Sequence, residues 1–138
     1  MIAIDINEAS QVAEARRTAM TLAHSNGFDE ADAGRVALVA TELGTNLLKH
    51  GGGGELLVDP FEDRSDSGVE ILAIDRGRGM ANVPSCLVDG YSSAGTRGNG
   101  FGAVIRQSNF FDIASWPGVG TAVLARVVSR RRGNRGQA

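Results

Sequence analysis

The sequence has little cysteine and no long hydrophobic run. Its 138 residues include one cysteine, Cys86, which excludes an internal disulfide. No apolar run approaches the ~20 residues that a bilayer-spanning helix requires, so we expect no membrane partner. A chain of this length buries enough surface on folding to form a core without covalent cross-links. We therefore expect one domain that is held together by packing.

The chain also has no charged-then-apolar leader, no internal repeat and, outside its C-terminal end, no low-complexity segment. Together with the lone cysteine, this predicts a soluble protein of the reducing cytoplasm. Residues 130–138 contain four arginines, no acid and no aromatic residue, a composition more typical of a solvated tail than of a nucleic-acid-binding surface. We predict a domain over residues 1–128 and a basic, disordered tail over 129–138.

One helix, predicted over Glu30–His50 ahead of a run of four glycines, carries the first candidate site residues. Glu42, Asn46 and either Lys49 or His50 recur at three- and four-residue steps, so they share one face. This face is a candidate active-site wall, although a solvated helix surface has the same composition. A second stripe has the period of a buried helix face: Val36, Val39, Ala40, Leu43 and Leu47.

The remaining periodicities predict two more helices and five strands. One helix is expected over Glu8–Asn26, with Asn7 as its N-cap and Gly27 as its left-handed end, and a short one over Gly102–Asn109. Asp29 is expected to cap the helix that begins at Glu30. The predicted strands are Ile2–Ile6, Glu55–Phe61, Val69–Ile74, Phe111–Trp116 and Thr121–Val127.

The order of these elements indicates an α/β two-layer sandwich, with a mixed, largely antiparallel sheet covered on one face by helices. Residues Glu62–Gly68 are predicted to form a polar turn between two hairpin strands. The nearly continuous apolar strand Val69–Ile74 is expected to be buried on both faces and to hold Asp75 at its end. Residues Met80–Arg97 lack firm periodicity, and a loop of that length is often a functional lid.

Two glycine-rich motifs flank this loop. In Asp75-Arg76-Gly77-Arg78-Gly79, a carboxylate at a strand end precedes glycines that let a ligand approach the backbone; an ordinary β-turn has a similar composition. Gly98-Asn99-Gly100-Phe101-Gly102 opens a helix, where unpaired N–H groups are receptive to phosphate. This second motif is not a Walker loop, because no Gly-Lys-Ser/Thr follows, and the chain supplies no parallel βαβ unit for a Rossmann site.

The order of the asparagine-bearing helix, D-x-G-x-G and G-x-G-x-G resembles the GHKL ATP-binding (Bergerat) fold of gyrase B, Hsp90, MutL and histidine kinases. In its small size and in the run Asp89-Gly90-Tyr91-Ser92, the chain is most similar to the anti-sigma-factor serine kinases of the RsbW/RsbT type. The resemblance covers residues 35–127, roughly. Asn99 and Phe101 depart from it, because the family more often has leucine or another aliphatic residue in this loop.

The resemblance implies ATP and Mg²⁺ as cofactors and a role for each motif. Asp75 would accept a hydrogen bond from the adenine amine, and Asn46 would be the protein ligand of Mg²⁺. Glu42 would orient or deprotonate the attacking nucleophile, while Lys49 or His50 would lie near the phosphates. The remaining implied nucleotide contacts are Gly77, Gly79, Gly98, Gly100, Phe101, Gly102 and Thr121. Arg97 borders the second glycine-rich motif and is a candidate to neutralise phosphate charge.

Three functions are compatible with this resemblance. The first is a bacterial protein serine/threonine kinase that transfers the ATP γ-phosphate to a serine of a STAS-domain antagonist. The second is an ATP-gated binding module that sequesters a sigma factor or activates a PP2C-type phosphatase. The third, a detached catalytic half of a histidine kinase, fits less well because only one helix precedes the asparagine-bearing helix. The family often forms dimers, so a homodimer is also expected.

Overall fold

The computed structural model describes residues 1–50, 52–64, 66–75 and 101–129, with only the backbone of His50 included. The predicted lid, 80–97, and residues 130–138 of the predicted tail lie outside these ranges. The first residue of that tail is not disordered: Ser129 is 3% exposed, and its N–H donates to the carbonyl of Ser67 at 3.0 Å. The described elements follow the predicted order: β1 (Ile2–Ile6), α1 (Ala9–Ser25), α2 (Glu30–His50), β2 (Gly54–Asp63), β3 (Asp66–Asp75), α3 (Phe101–Gln107), β4 (Phe110–Trp116) and β5 (Gly120–Val128).

The five strands form one sheet in the order β1-β2-β3-β5-β4. Every neighbouring pair of these described strands is antiparallel. The buried residues of the strands belong to the same core as those of the three helices, so the helices cover one face of the sheet. The predicted two-layer α/β sandwich is confirmed. Within the described residues, no helix has both the length and the hydropathy of a membrane span.

Local sequence signals explain three of the boundaries of the described helices. Gly27 ends α1 with a φ of 85°, the left-handed conformation that glycine adopts without steric cost. Asp29 caps α2, because its Oδ1 accepts a hydrogen bond from the N–H of Asp32 at 2.8 Å. The predicted cap of α1 is wrong by one residue: the N-cap is Glu8, not Asn7. The side chain of Gln11 fixes this start by accepting a hydrogen bond from the N–H of Glu8 at 3.1 Å.

Two predictions about β3 are also wrong. The predicted polar turn at 62–68 is much shorter, because the ladder continues to the pair Asp63–Asp66. Backbone hydrogen bonds extend the hairpin there although the side chains are polar. Only one face of β3 is buried: Ile71 is fully buried, whereas Ile74 on the opposite face is 37% exposed. Because the described helices cover a single face, β3 is a half-buried strand.

A buried arginine joins α2 to α3 and β5. The guanidinium of Arg35 donates to Asp32 Oδ1 at 3.0 Å, to the carbonyl of Gln107 at 2.9 Å and to Asn109 Oδ1 at 2.9 Å. It also donates to the carbonyl of Val128 at 3.4 Å. Asp32 is 1% exposed and the Arg35 side chain 10% exposed. This network fixes α3 and the end of β5 against the helix that carries the predicted site face.

Arg35→Met is expected to lower the free energy of unfolding by about 3–5 kcal/mol, since it removes the cation from a largely buried ion pair. Urea denaturation followed by circular dichroism measures this change. Arg16→Met, at an exposed position of α1, is the matched control and should change stability by less than about 0.5 kcal/mol. If the two variants are equally stable, the Arg35 network does not hold the fold together.

Candidate functional site

Four predicted site residues lie around one small cavity. Asn46 comes from α2, Asp75 from the end of β3, Phe101 from the start of α3, and Thr121 from β5. The cavity measures about 20 Å³, the space of a single water molecule. Aliphatic side chains complete its described walls: Leu43, Leu47, Ala73 and Val123. The fold therefore brings together residues that are up to 75 positions apart in the sequence.

The polar side of the cavity is a hydrogen-bonded group across three strands. Asp75 Oδ1 accepts a hydrogen bond from the N–H of Thr121 at 3.2 Å. The hydroxyl of Thr121 lies 3.0 Å from that of Ser115, its direct partner in the β4–β5 ladder. Thr121 is 5% exposed. The carboxylate of Asp75 is thus held in a defined orientation at the edge of an apolar cavity.

Asn46 presents an unusual oxygen. The residue is 9% exposed, and its Oδ1 is buried without a hydrogen-bond partner in the described part of the chain. Burying a polar atom without a partner costs free energy, so such atoms in native proteins call for an explanation. An amide oxygen in this state is suited to accept a hydrogen bond from a ligand or to coordinate a cation.

Comparison with known proteins identifies the fold family. A family model described as "Histidine kinase-like ATPase domain" matches residues 7–127. The chain belongs to this ATPase family. It is also 30% identical, over 114 residues, to the serine/threonine-protein kinase RsbT of Bacillus subtilis (strain 168); the match covers 83% of this chain and 86% of RsbT. These matches confirm the resemblance to the GHKL superfamily and its RsbW/RsbT-type kinases.

A solved structure of the same fold comes from Pseudomonas aeruginosa. A chain in the crystal structure of the SiaB–SiaC complex superposes with a TM-score of 0.65, covering 93% of this chain and 89% of that one. The sequences are 14% identical, so this likeness concerns the fold alone. It supports the two-layer arrangement of helices and sheet described above.

Four other predicted site residues of this ATPase-family chain lie on the two helices that contribute to the cavity, and five lie outside the described residues. Glu42 lies on α2 one turn before Asn46 and is partly exposed, and Lys49 is exposed near the end of that helix. His50 is the last residue of α2, and Gly102 lies within α3. The residues outside the described ranges are Gly77, Gly79, Arg97, Gly98 and Gly100.

Gly54 is a site-positioning residue that sequence reasoning missed. It lies directly opposite Asp75 in the β2–β3 ladder, and a Cβ atom there would lie 2.2 Å from the carbonyl oxygen of Ile74 and 3.0 Å from Cα of Asp75. Both contacts are with backbone atoms, which cannot rotate away. The sequence did show a glycine run at 51–54, but only the strand register identifies the glycine that touches Asp75.

Gly54→Ala is expected to lower stability by about 1–3 kcal/mol, because the added methyl overpacks the ladder. It should also weaken nucleotide binding by displacing the backbone of Asp75. Thermal unfolding and calorimetric titration measure the two effects. Gly34→Ala is the control: no atom lies within 4 Å of its added Cβ, and alanine favours a helix interior by up to about 1 kcal/mol. Equal effects at both positions would contradict the steric explanation.

Proposed function

We propose that this protein is a bacterial ATP-dependent protein serine/threonine kinase of a partner-switching regulatory system. The single observation that carries the proposal is the convergence of Asn46, Asp75 and Thr121 on one cavity. These are the residue types and positions to which the GHKL resemblance assigns the metal and the adenine base. Membership of the ATPase family and the likeness to RsbT support the same activity.

The adenine base is proposed to bind against Asp75. An ionised carboxylate accepts hydrogen bonds and cannot donate them, whereas the exocyclic amine of adenine is a donor. Apolar side chains around Asp75 match the faces of a purine ring. The described walls enclose too little space for the base, and we propose that Gly77 and Gly79, which have no side chains, make room for the ring.

Mg²⁺ is proposed to bind at Asn46. The unpartnered amide oxygen is a hard ligand, and Mg²⁺ typically uses one or two protein ligands together with phosphates and water. Bound there, the ion would neutralise negative charge on the phosphates.

Glu42 is proposed as the catalytic base. It lies on the same helix as Asn46, one turn earlier, and is partly exposed, so that a serine of another protein can reach it. A carboxylate in this place can orient the hydroxyl and accept its proton as the phosphoryl group transfers. The phosphates are proposed to lie along Gly98, Gly100 and Gly102, with Arg97 and either Lys49 or His50 compensating their charge.

The proposed substrate is a serine on a STAS-domain antagonist. The name of the relative RsbT specifies a serine/threonine-protein kinase, and the structural neighbour was crystallised as a complex of two proteins. Both support a protein partner. Phosphorylation would add a charge of about −1.5 to −2 to the serine, and this charge would change which protein the STAS-domain antagonist binds. A sigma factor or a PP2C-type phosphatase as a further partner, and a homodimer, stay predictions.

Incubation with γ-labelled ATP and a candidate STAS-domain partner protein tests the proposal. We expect label on one STAS serine, and none when that serine is replaced by alanine. An unlabelled STAS protein that nevertheless forms an ATP-dependent complex would contradict the kinase proposal and favour the binding module. Absence of both labelling and binding would exclude the STAS protein as the partner.

A further inference from the structure

The hydroxyl pair Ser115–Thr121 extends the candidate adenine site by one residue that the sequence motifs do not contain. Ser115 lies in β4, the strand at the edge of the sheet, opposite Thr121 in β5. Their oxygens are 3.0 Å apart, a normal hydroxyl–hydroxyl distance. Thr121 lines the cavity, whereas Ser115 does not. Ser115 can therefore influence a bound base through Thr121.

The donor and acceptor pattern of adenine decides which hydroxyl must donate in the Ser115–Thr121 hydrogen bond. Asp75, an acceptor, suits the amine of adenine, and the ring nitrogen N1 beside that amine is itself an acceptor. The group next to Asp75 must then be a donor. A threonine hydroxyl has one proton and two lone pairs, so Thr121 can donate toward the base only if its proton is not already given to Ser115.

We propose that Ser115 is a positioning residue for base recognition: it donates its hydroxyl proton to Thr121 Oγ1, which directs the Thr121 proton toward N1 of the adenine. The backbone N–H of Thr121 already holds Asp75, so one residue aligns both the acceptor and the donor. Guanine presents the reverse order at these atoms, a carbonyl and then an N–H. The Ser115–Thr121–Asp75 series is thus matched to adenine. This inference rests on the proposed ATP site.

Titration of wild type and Ser115→Ala with ATP and with its 1-deaza analogue, in which a C–H replaces N1, tests the inference. Wild type should bind ATP about three- to tenfold more tightly than the analogue, the range for one neutral hydrogen bond. Ser115→Ala should lose affinity for ATP by a similar factor and keep the wild-type affinity for the analogue. Ser115→Thr, which retains the hydroxyl, should restore the preference for ATP.

If Ser115 has a purely structural role, Ser115→Ala should lose affinity for ATP and for the analogue by the same factor. That result would overturn the inference. Unchanged ATP affinity in Ser115→Ala would also overturn it, while leaving the proposed function in place. Wild type that binds neither nucleotide would reject the proposed function and this inference together. Because Ser115 is half-buried in an edge strand, the alanine variant should fold, and its thermal unfolding curve provides the check.

Discussion

Asp75→Asn is expected to weaken ATP binding by tenfold to more than a hundredfold. The substitution removes the charge and allows an amide N–H₂ group to face the adenine amine, so that a donor can meet a donor. Loss of one charge-assisted hydrogen bond costs about 1.5–3 kcal/mol, which corresponds to this range of affinity. The introduced amide would keep an oxygen to accept the hydrogen bond from the N–H of Thr121, so the sheet should remain intact.

Isothermal titration calorimetry with ATP and Mg²⁺ measures the loss. Asp66→Asn is the matched control, because Asp66 is exposed at the opposite end of the same strand. It should bind ATP as the wild type does. Equal affinities of wild type and Asp75→Asn would reject the adenine assignment, whatever the activity of the protein proves to be.

Glu42→Gln is expected to abolish phosphoryl transfer while nucleotide binding persists. Glutamine has the shape of glutamate but cannot accept the proton of the attacking hydroxyl, and general-base catalysis typically contributes 10²–10⁴-fold to a rate. The partly exposed Glu42 is not among the described residues that line the cavity with Asp75. Its replacement should therefore leave the affinity for ATP within about twofold of the wild-type value.

Single-turnover transfer of labelled phosphate to the STAS protein, measured beside calorimetric ATP affinity, separates the two effects. Glu14→Gln supplies the control, since Glu14 is exposed on α1, and it should transfer at the wild-type rate. A Glu42→Gln variant that phosphorylates normally would show that another group takes the proton. A variant that loses both binding and transfer would instead place Glu42 in the nucleotide site.

Hydrophobic periodicity predicted the helices and strands of the fold, because burial of one face sets the spacing of apolar residues within each element. The stripe of α2 is buried as expected, with Val36 and Val39 fully inaccessible. Periodicity could not predict that β3 begins at Asp66, because ladder hydrogen bonds join backbones and leave no side-chain pattern. Nor could it show that Ile74 is exposed, since a continuous apolar run looks the same whether one face or two are covered.

The site was predictable where a motif marks the end of an element. Asp75 was identified in this way, whereas Asn46 was identified from its spacing on one face of α2 and from the family resemblance; the two residues meet at the cavity. Gly54, Arg35 and Ser115 were not identified, because each acts through a partner that is distant in sequence or lies on another strand. The contact of Gly54 with Asp75 depends on strand register, and the bond between Arg35 and Gln107 spans 72 residues. Nothing in the sequence next to these residues indicates such contacts.

The central claim is that an adenine nucleotide with Mg²⁺ binds between α2 and the ends of β3 and β5. A crystal structure of the wild-type protein grown with Mg²⁺ and a non-hydrolysable ATP analogue tests this claim most directly. We predict the base amine within hydrogen-bonding distance of the Asp75 carboxylate and the metal coordinated by Asn46 Oδ1. An analogue bound elsewhere, with the space beside Asp75 and Asn46 filled by the protein's own side chains, would contradict the account.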